Sequence, residues 1–339
     1  MPLLSVIVPA YNAGLFLEEC ALSILESGLP DLELIIVNDG SADDTASICD
    51  RLAEKDGRVK VLHRSNGGVS AARNAGIEAA CGEYIAFADA DDRLAPGAYE
   101  RMLAALGKSG ATCVACGYYL IMPDGSCKPK RAPLSPGFHD YAGIVEKLVI
   151  PLFADRVSRG LILGTVWRYL FRRSVIINNN IRFAGAYLED EVFLTEYFSY
   201  PSTIYSLDEP LYHYRQNPSS VTRKYMPGCA DVFCASLAKK ENAAARFGPS
   251  LPSYWRHNTA WAGLLIVISN EFAPGNTKSF REKLKTLRAV CEMKDFKHAI
   301  KNYAPSGLAG SKAVVAGLVR RGLLLPLAVL YSLKNIGKG

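Results

Sequence analysis

The sequence predicts an α/β fold: a mostly parallel sheet flanked by helices, with a helical extension at its C-terminal end. Three observations predict it. Apolar runs of strand length alternate with helical segments through the first hundred residues, the order of a sheet built from βαβ units. The first of those runs is continuously apolar, as a parallel strand covered on both faces is. From about residue 230 the strand pattern stops and only helical periodicity remains.

The elements follow in order. "LSVIVPAYN" (4–12) reads as the first buried strand. In "LFLEECALSILES" (15–27), Leu15, Leu17, Ala21, Leu22, Ile24 and Leu25 form one apolar helical face. "LELIIVND" (32–39) is the second strand, and Ser41 with Asp44 reads as a capping box opening the next helix. "VKVLH" (59–63) is the third strand, and "NGGVSAARNAGIEAA" turns through glycine into a helix. "EYIAFADADD" is the fourth strand, ending in Asp89, Asp91 and Asp92. Ligands of such sheets bind beyond the carboxyl ends of the strands. Tyr11–Asn12, Asn38–Asp39, Arg64–Asn66 and Asp89–Asp92 are therefore expected to converge.

A helix over 96–107 leads to the strand "TCVACGYYLIM" and then to "PDGSCKPKRAPLSPG", a flap or hairpin. Residues 140–180 show a mixed helix and strand pattern. "GAYLEDEVFLTEYFSY" (185–200) is a loop entering a helix, and "STIYSLDEPLYHYRQNPSSVT" (202–222) reads as strands closing on a polar loop. In 278–303, Phe280, Leu284, Leu287, Cys291, Phe296 and Ile300 stripe one helical face and basic residues crowd the other.

Composition bounds the function. With 49% hydrophobic and 21% charged residues, the chain of 339 can bury a core, which excludes disorder. The net charge of +6 is unevenly spread: residues 230–339 hold 17 Lys and Arg against 6 Asp and Glu, and residues 1–229 hold 22 against 27. A basic C-terminal third suits an anionic surface as partner. Among nine cysteines only Cys113 and Cys116 have CxxC spacing, in a strand with no second pair, so no zinc site is expected. Free thiols suit a reducing cytoplasm. No basic segment precedes the first strand, so no signal peptide is expected. The stretch 313–333 is apolar but split by Arg320 and Arg321, which favours an interfacial helix over a membrane span. A nucleic-acid role is not expected, for no basic-aromatic platform is visible.

The three acids closing the fourth strand pose a physical problem. Carboxylates at a buried strand end repel one another and are costly to desolvate unless a cation joins them. Either the cluster is solvated in a loop, or it holds a cation.

"VIVPAYN", "VNDGSADDT", "NGGVSAARNAG", "YIAFADADD" and "YLEDEVF", in this order and spacing, together resemble the family 2 inverting glycosyltransferases of the GT-A fold. The resemblance is dense over 4–100, clear at 160–222 and absent beyond about 230. It implies a GT-A domain over 1–228, with a nucleotide-sugar half (1–120) and an acceptor half (121–228), followed by a basic helical region (229–339). It implies a nucleoside-diphosphate sugar donor, UDP-linked, a Mn²⁺ or Mg²⁺ cofactor, and a glycan or lipid-linked acceptor of bacterial surface polysaccharide.

By the same resemblance Pro9, Tyr11, Asn12 and Asp39 contact the nucleotide, beside the turn at Asn66, Gly67 and Gly68. Asp39 could instead fix its own turn. Asp91 is the expected metal ligand, Asp89 meets the ribose or a metal-bound water, and Asp92 stands behind them. Arg73 pairs with Asp89 or the diphosphate, or makes an ordinary helix-to-sheet salt bridge. Asp190 is the expected general base and Glu189 orients it or binds the acceptor. His213 completes the metal shell or lies in the core, Arg215 holds the diphosphate, and Ser220 lies in the closing loop. Trp167 lines the acceptor pocket or belongs to the core. The basic C-terminal helices imply peripheral contact with the inner face of the cell membrane, or else packing or dimerisation.

Other classes fit less well. "VPAYNAG" lacks the G-x-G-x-x-G of a dinucleotide-binding turn, which argues against a dehydrogenase. A nucleotidyltransferase needs a Gly/Arg-rich first loop with a lysine, which is absent. A silent subunit that only binds a nucleotide sugar or a membrane partner is the rival of another class.

Overall fold

The computed structural model describes residues 1–154, 164–185, 187–216, 225–302 and 311–336. The chain divides into two compact units, Met1–Val149 with Leu163–Asn217, and Ile150–Ile162 with Pro218–Gly339.

The described residues of the first unit form a ten-stranded sheet: β1 (Leu4–Ala10), β2 (Leu32–Asp39), β3 (Val59–Arg64), β4 (Tyr84–Phe87), β5 (Arg93–Leu94), β6 (Cys113–Ile121), β7 (Cys127–Lys130), β8 (Gly137–His139), β9 (Tyr169–Arg172) and β10 (Ile204–Arg215). The order runs β3-β2-β1-β4-β9-β6-β10-β5, with β7 on β6 and β8 on β10. The helices of this unit that bear on the site are α1 (Leu17–Leu25), α2 (Thr45–Lys55), α3 (Val69–Ala79), α4 (Ala98–Ser109) and α5 (Glu189–Tyr197).

The first four strands are parallel, as the alternation of strands and helices along the chain requires. Every residue of β2 is buried. Register then fixes the active edge: Ala10 lies opposite Asn38, Asp39 opposite Arg64, and Ile7 opposite Phe87. The polar residues that end these strands therefore emerge together.

Beyond β4 the sheet becomes mixed. β9 lies antiparallel between β4 and β6, and β10 runs parallel to β6. The segment after β6 is a hairpin, with Gly125 at φ 81 in the turn before β7. An aromatic cluster anchors the approach to α5: Phe183 stacks on Phe193 at 4.2 Å and meets the Phe87 edge at 5.0 Å. It ties the start of α5, which carries the "LEDE" acids, to the end of β4.

Ser41 does not cap α2. Its hydroxyl accepts the Asn12 N–H at 3.0 Å, and Asn12 Oδ1 accepts the Ala42 N–H at 2.9 Å. α2 begins at Thr45, whose N–H donates to Asp43 at 3.1 Å. Gly14 and Ala13 donate to Asp43 and Thr45. The 39–45 loop spends its polar side chains on the loop after β1, so the helix starts late.

The second unit is helical over its described residues: α6 (Cys229–Phe247), α7 (Trp255–Glu271), α8 (Phe280–Glu292), α9 (Lys294–Asn302), α10 (Ser311–Arg320) and α11 (Leu324–Ile336), with a short helix at Ile150–Ala154. Ser279 and Glu282 form a complete capping box at the start of α8. Leu287 and Phe296 of the predicted apolar stripe are fully buried, while Phe280 is 41% exposed. That stripe mainly packs the unit together.

Candidate active site

The glycine turn after β3 is held by Asp39. This buried carboxylate accepts N–H groups from Gly67 at 3.0 Å and Gly68 at 2.7 Å, and pairs with Arg64 at 3.2 Å. Gly68 sits at φ 83, a conformation that a side chain would strain. Asp39 thus fixes the glycine turn beside the strand ends. Tyr11, 54% exposed, and exposed Asn12 and Asn66 flank this turn's edge of the sheet; Pro9 is partly buried within β1.

Arg73 on α3 is 3% exposed and meets three carboxylates. Its Nη1 reaches Asp190 at 2.6 Å and Glu189 at 3.1 Å, and its Nη2 reaches Asp89 at 2.9 Å. The guanidinium also lies 5.1 Å from the centre of the Phe183 ring. Of the alternatives open for Arg73, pairing with Asp89 is realised, and the two acids of α5 are added to it.

Asp190 is fixed from both sides, because its other oxygen accepts the Val166 N–H at 3.1 Å. Leu188, just before α5, has φ 59. A left-handed backbone at a branched residue is held by its surroundings and sets the direction of the acids that follow. The Asp190 carboxyl is raised to about 7, chiefly by burial, with Glu189 and Asp89 adding to the rise and Arg73 and the Val166 N–H opposing it. The positive charge of Arg73 is correspondingly reinforced by the carboxylates around it.

The three acids of the β4 tip separate. Asp89 turns to Arg73. Asp92, 2% exposed, accepts the Tyr212 hydroxyl at 2.8 Å and the Arg215 N–H at 2.7 Å. The Tyr212 oxygen in turn accepts the Asp89 N–H at 3.0 Å. Burial and the charges of Asp89 and Asp91 raise the Asp92 carboxyl well above its ordinary range. Among the described residues no three His, Cys, Asp or Glu side chains are arranged to hold one metal ion. Arg73 thus compensates Asp89, Tyr212 and the Arg215 N–H donate to Asp92, and Asp91 is partly buried at the turn.

His213 lies opposite Arg93 in the β10–β5 pairing, with its ring edge-on to Tyr119 at 5.2 Å. Its Nδ1 is buried without a hydrogen-bond partner among the described residues. Burial, then the nearby Arg93 charge, lowers its pKa and keeps the imidazole neutral. A neutral ring with an unused nitrogen beside a carboxylate-bearing turn is chemically suited to a divalent cation.

Arg215 is engaged by α1: it pairs with Glu19 at 2.8 Å and lies 4.6 Å from the Phe16 ring centre. The loop after it, including Ser220, lies outside the described residues. Trp167 is 4% exposed, stacked on Tyr212 at 4.3 Å and on Tyr214 at 5.5 Å. Its indole belongs to the core, which corrects its placement in the acceptor pocket. Its neighbour Arg168 is also buried and donates to the carbonyls of Cys116 and Arg131. Cys113 and Cys116 are buried in β6, where burial raises Cys116 to about 12 and Cys113 higher than usual, leaving inert thiols.

Tyr212 is the residue that sequence reasoning missed. It stood beside His213 in "YHYR", and only the fold reveals that its hydroxyl ties Asp89 to Asp92.

Sheet order, acidic strand tip and buried acids of α5 together define a GT-A glycosyltransferase. The family model described as glycosyl transferase family 2 matches residues 5–154. The uncharacterized glycosyltransferase EpsJ of Bacillus subtilis (strain 168) is 36% identical over 66% of this chain and 63% of its own length. The putative glycosyltransferase EpsH of the same organism is 31% identical over 86% of this chain and 83% of its own. The chain belongs to glycosyltransferase family 2. The fold is shared with S. aureus TarS 1-349 in complex with UDP-GlcNAc, at a TM-score of 0.60 and 18% identity, over 89% of this chain and 91% of that one.

Proposed function

We propose that this chain is an inverting glycosyltransferase. It moves a hexosyl or N-acetylhexosaminyl group from a UDP-sugar to a glycan or lipid-linked acceptor in bacterial surface polysaccharide synthesis, on the cytoplasmic side of the membrane. The observation that carries this reading is the Asp190 carboxyl, partly buried, raised to about 7 and locked onto Arg73. A base poised near neutral pH and fixed in direction is what deprotonation of an acceptor hydroxyl needs.

Asp190 takes the proton of the acceptor hydroxyl as its oxygen attacks the anomeric carbon. The bond to the diphosphate oxygen breaks on the opposite face, and its electron pair leaves with UDP. One glycosidic bond replaces the sugar–phosphate bond, with inversion. Glu189 shares Arg73 with Asp190 and binds or orients the acceptor. Pro9, Tyr11, Asn12 and Asn66 receive the nucleotide at the strand ends, beside the turn that Asp39 holds. Arg73 acts on the carboxylates, keeping Asp89 and Asp190 in register, while Asp89 meets the donor.

Asp91 and His213 would hold Mn²⁺ or Mg²⁺, an oxygen donor and a neutral imidazole nitrogen suited to a divalent ion that also binds diphosphate oxygens. Such an ion, when bound, neutralises the charge that grows on the departing diphosphate. Arg215 supplies further positive charge from the end of β10.

A panel of UDP-, GDP- and dTDP-sugars tests the reading. UDP-sugars are expected to raise the melting temperature in the presence of the cation and to release UDP with an acceptor, giving an inverted anomer by NMR. Binding without turnover on any acceptor would make the chain a silent nucleotide-sugar subunit. Retention of configuration would remove the single-displacement mechanism.

A further inference from the structure

From Gly322 to Leu333 the chain carries no charged residue. α11, which begins within this stretch, is apolar on two sides. One side is packed: Leu327 and Ala328 are fully buried, and Tyr331 meets Phe272 at 5.9 Å. The other side is open. Leu325 is 55% exposed, Val329 44%, Leu330 39% and Leu333 63%. Leu323 and Val314 extend the same kind of surface towards and into α10. A helix apolar all round, with half of it in water, implies a cover for the open half.

The charge around this helix indicates which cover. No acidic residue follows Asp295, whereas Lys297, Lys301, Lys312, Arg320, Arg321, Lys334 and Lys338 do. Arg320 and Arg321 are exposed where α10 ends and the uncharged stretch begins. A second copy of the same surface would set these cations against their own kind. Lipid phosphates would neutralise them while the acyl boundary takes up the leucines.

We propose that the open face of α11, with the Arg320–Arg321 pair, docks in the plane of an anionic lipid surface. The helix lies on the membrane. Its 13 residues rise only about 20 Å, short of the roughly 30 Å hydrocarbon core. Among the described residues no helix is long and apolar enough to cross a membrane.

Flotation of the full chain with phosphatidylcholine vesicles, with and without phosphatidylglycerol, tests this. The protein is expected to float with the anionic vesicles and to be released by salt. Arg320→Gln and Arg321→Gln should each weaken binding roughly fivefold, and the Leu325→Ser/Val329→Ser/Leu333→Ser variant at least about tenfold. These side chains are exposed, so melting temperatures should hold. If the serine variant melts early, the arginine pair alone decides. Equal flotation on neutral vesicles, undiminished binding of the arginine variants, or no flotation would overturn the proposal. So would a concentration-dependent dimer that the serine variant dissolves, which would give the face to a second copy.

Discussion

Arg73 donates to Asp190 across 2.6 Å, and the other terminal nitrogen of the same guanidinium reaches Asp89 at 2.9 Å. One buried cation thereby joins the tip of β4 to the start of α5. The acid proposed to meet the donor and the acid proposed to deprotonate the acceptor share a single counter-charge. Their separation is set by a rigid planar group rather than by two independent loops.

The pH dependence of transfer follows from this arrangement. The rate should rise through an acid limb with its midpoint near 7, as Asp190 loses its proton. Stability should move the other way. The folded Asp190 binds its proton more tightly than the unfolded residue, whose pKa is about 3.9. Its contribution is therefore fully present below about 4 and is lost as pH rises towards 7. Asp190→Asn should flatten that decline, as read by denaturant titrations at pH 5 and pH 8.

Removing Arg73 should expose what it compensates. Arg73→Met leaves three carboxylates at a buried junction without their cation, at a cost of about 3–5 kcal/mol. The remaining acid limb should shift upward, because the charge that pulls the Asp190 pKa down most is gone. Arg73→Lys keeps the charge but cannot span both acids, so it should restore stability better than rate. A thermal melt beside a pH–rate profile separates the two effects.

Tyr212→Phe isolates the hydroxyl that ties Asp89 to Asp92. The ring should keep its place on Trp167, while Asp92 loses a donor in a buried setting, costing about 1–3 kcal/mol. UDP affinity should fall as the acidic turn loosens, measured by calorimetry with the variant still folded.

The metal proposal has its own check. Mn²⁺ should enhance UDP-dependent thermal stabilisation of the wild type, and Asp91→Asn or His213→Ala should abolish that enhancement. Metal-dependent stabilisation that survives both substitutions would assign the ion to other residues.

The sequence made some of this legible and left the rest hidden for a physical reason. The parallel sheet of the first four strands was visible because apolar runs of strand length alternate with helical segments. β9 was not, since four residues inside a mixed pattern carry no periodicity. The acids were visible as residues, but their partners were not. Asp190 meets an arginine 117 positions away, and Asp92 a tyrosine 120 positions away. Ser41 was misread for the same reason, because its hydroxyl serves Asn12, 29 positions earlier. Trp167 offered either a sugar platform or a core ring, and only its stack on β10 decides.

Single-turnover transfer by Asp190→Asn, measured beside its affinity for UDP, addresses the chemistry most directly. With the base removed and the donor site intact, the rate should drop about 10²–10⁴-fold while UDP affinity stays unchanged. A near-normal rate, or a parallel loss of nucleotide binding, would take Asp190 out of the chemistry and leave the Arg73 junction a purely structural one.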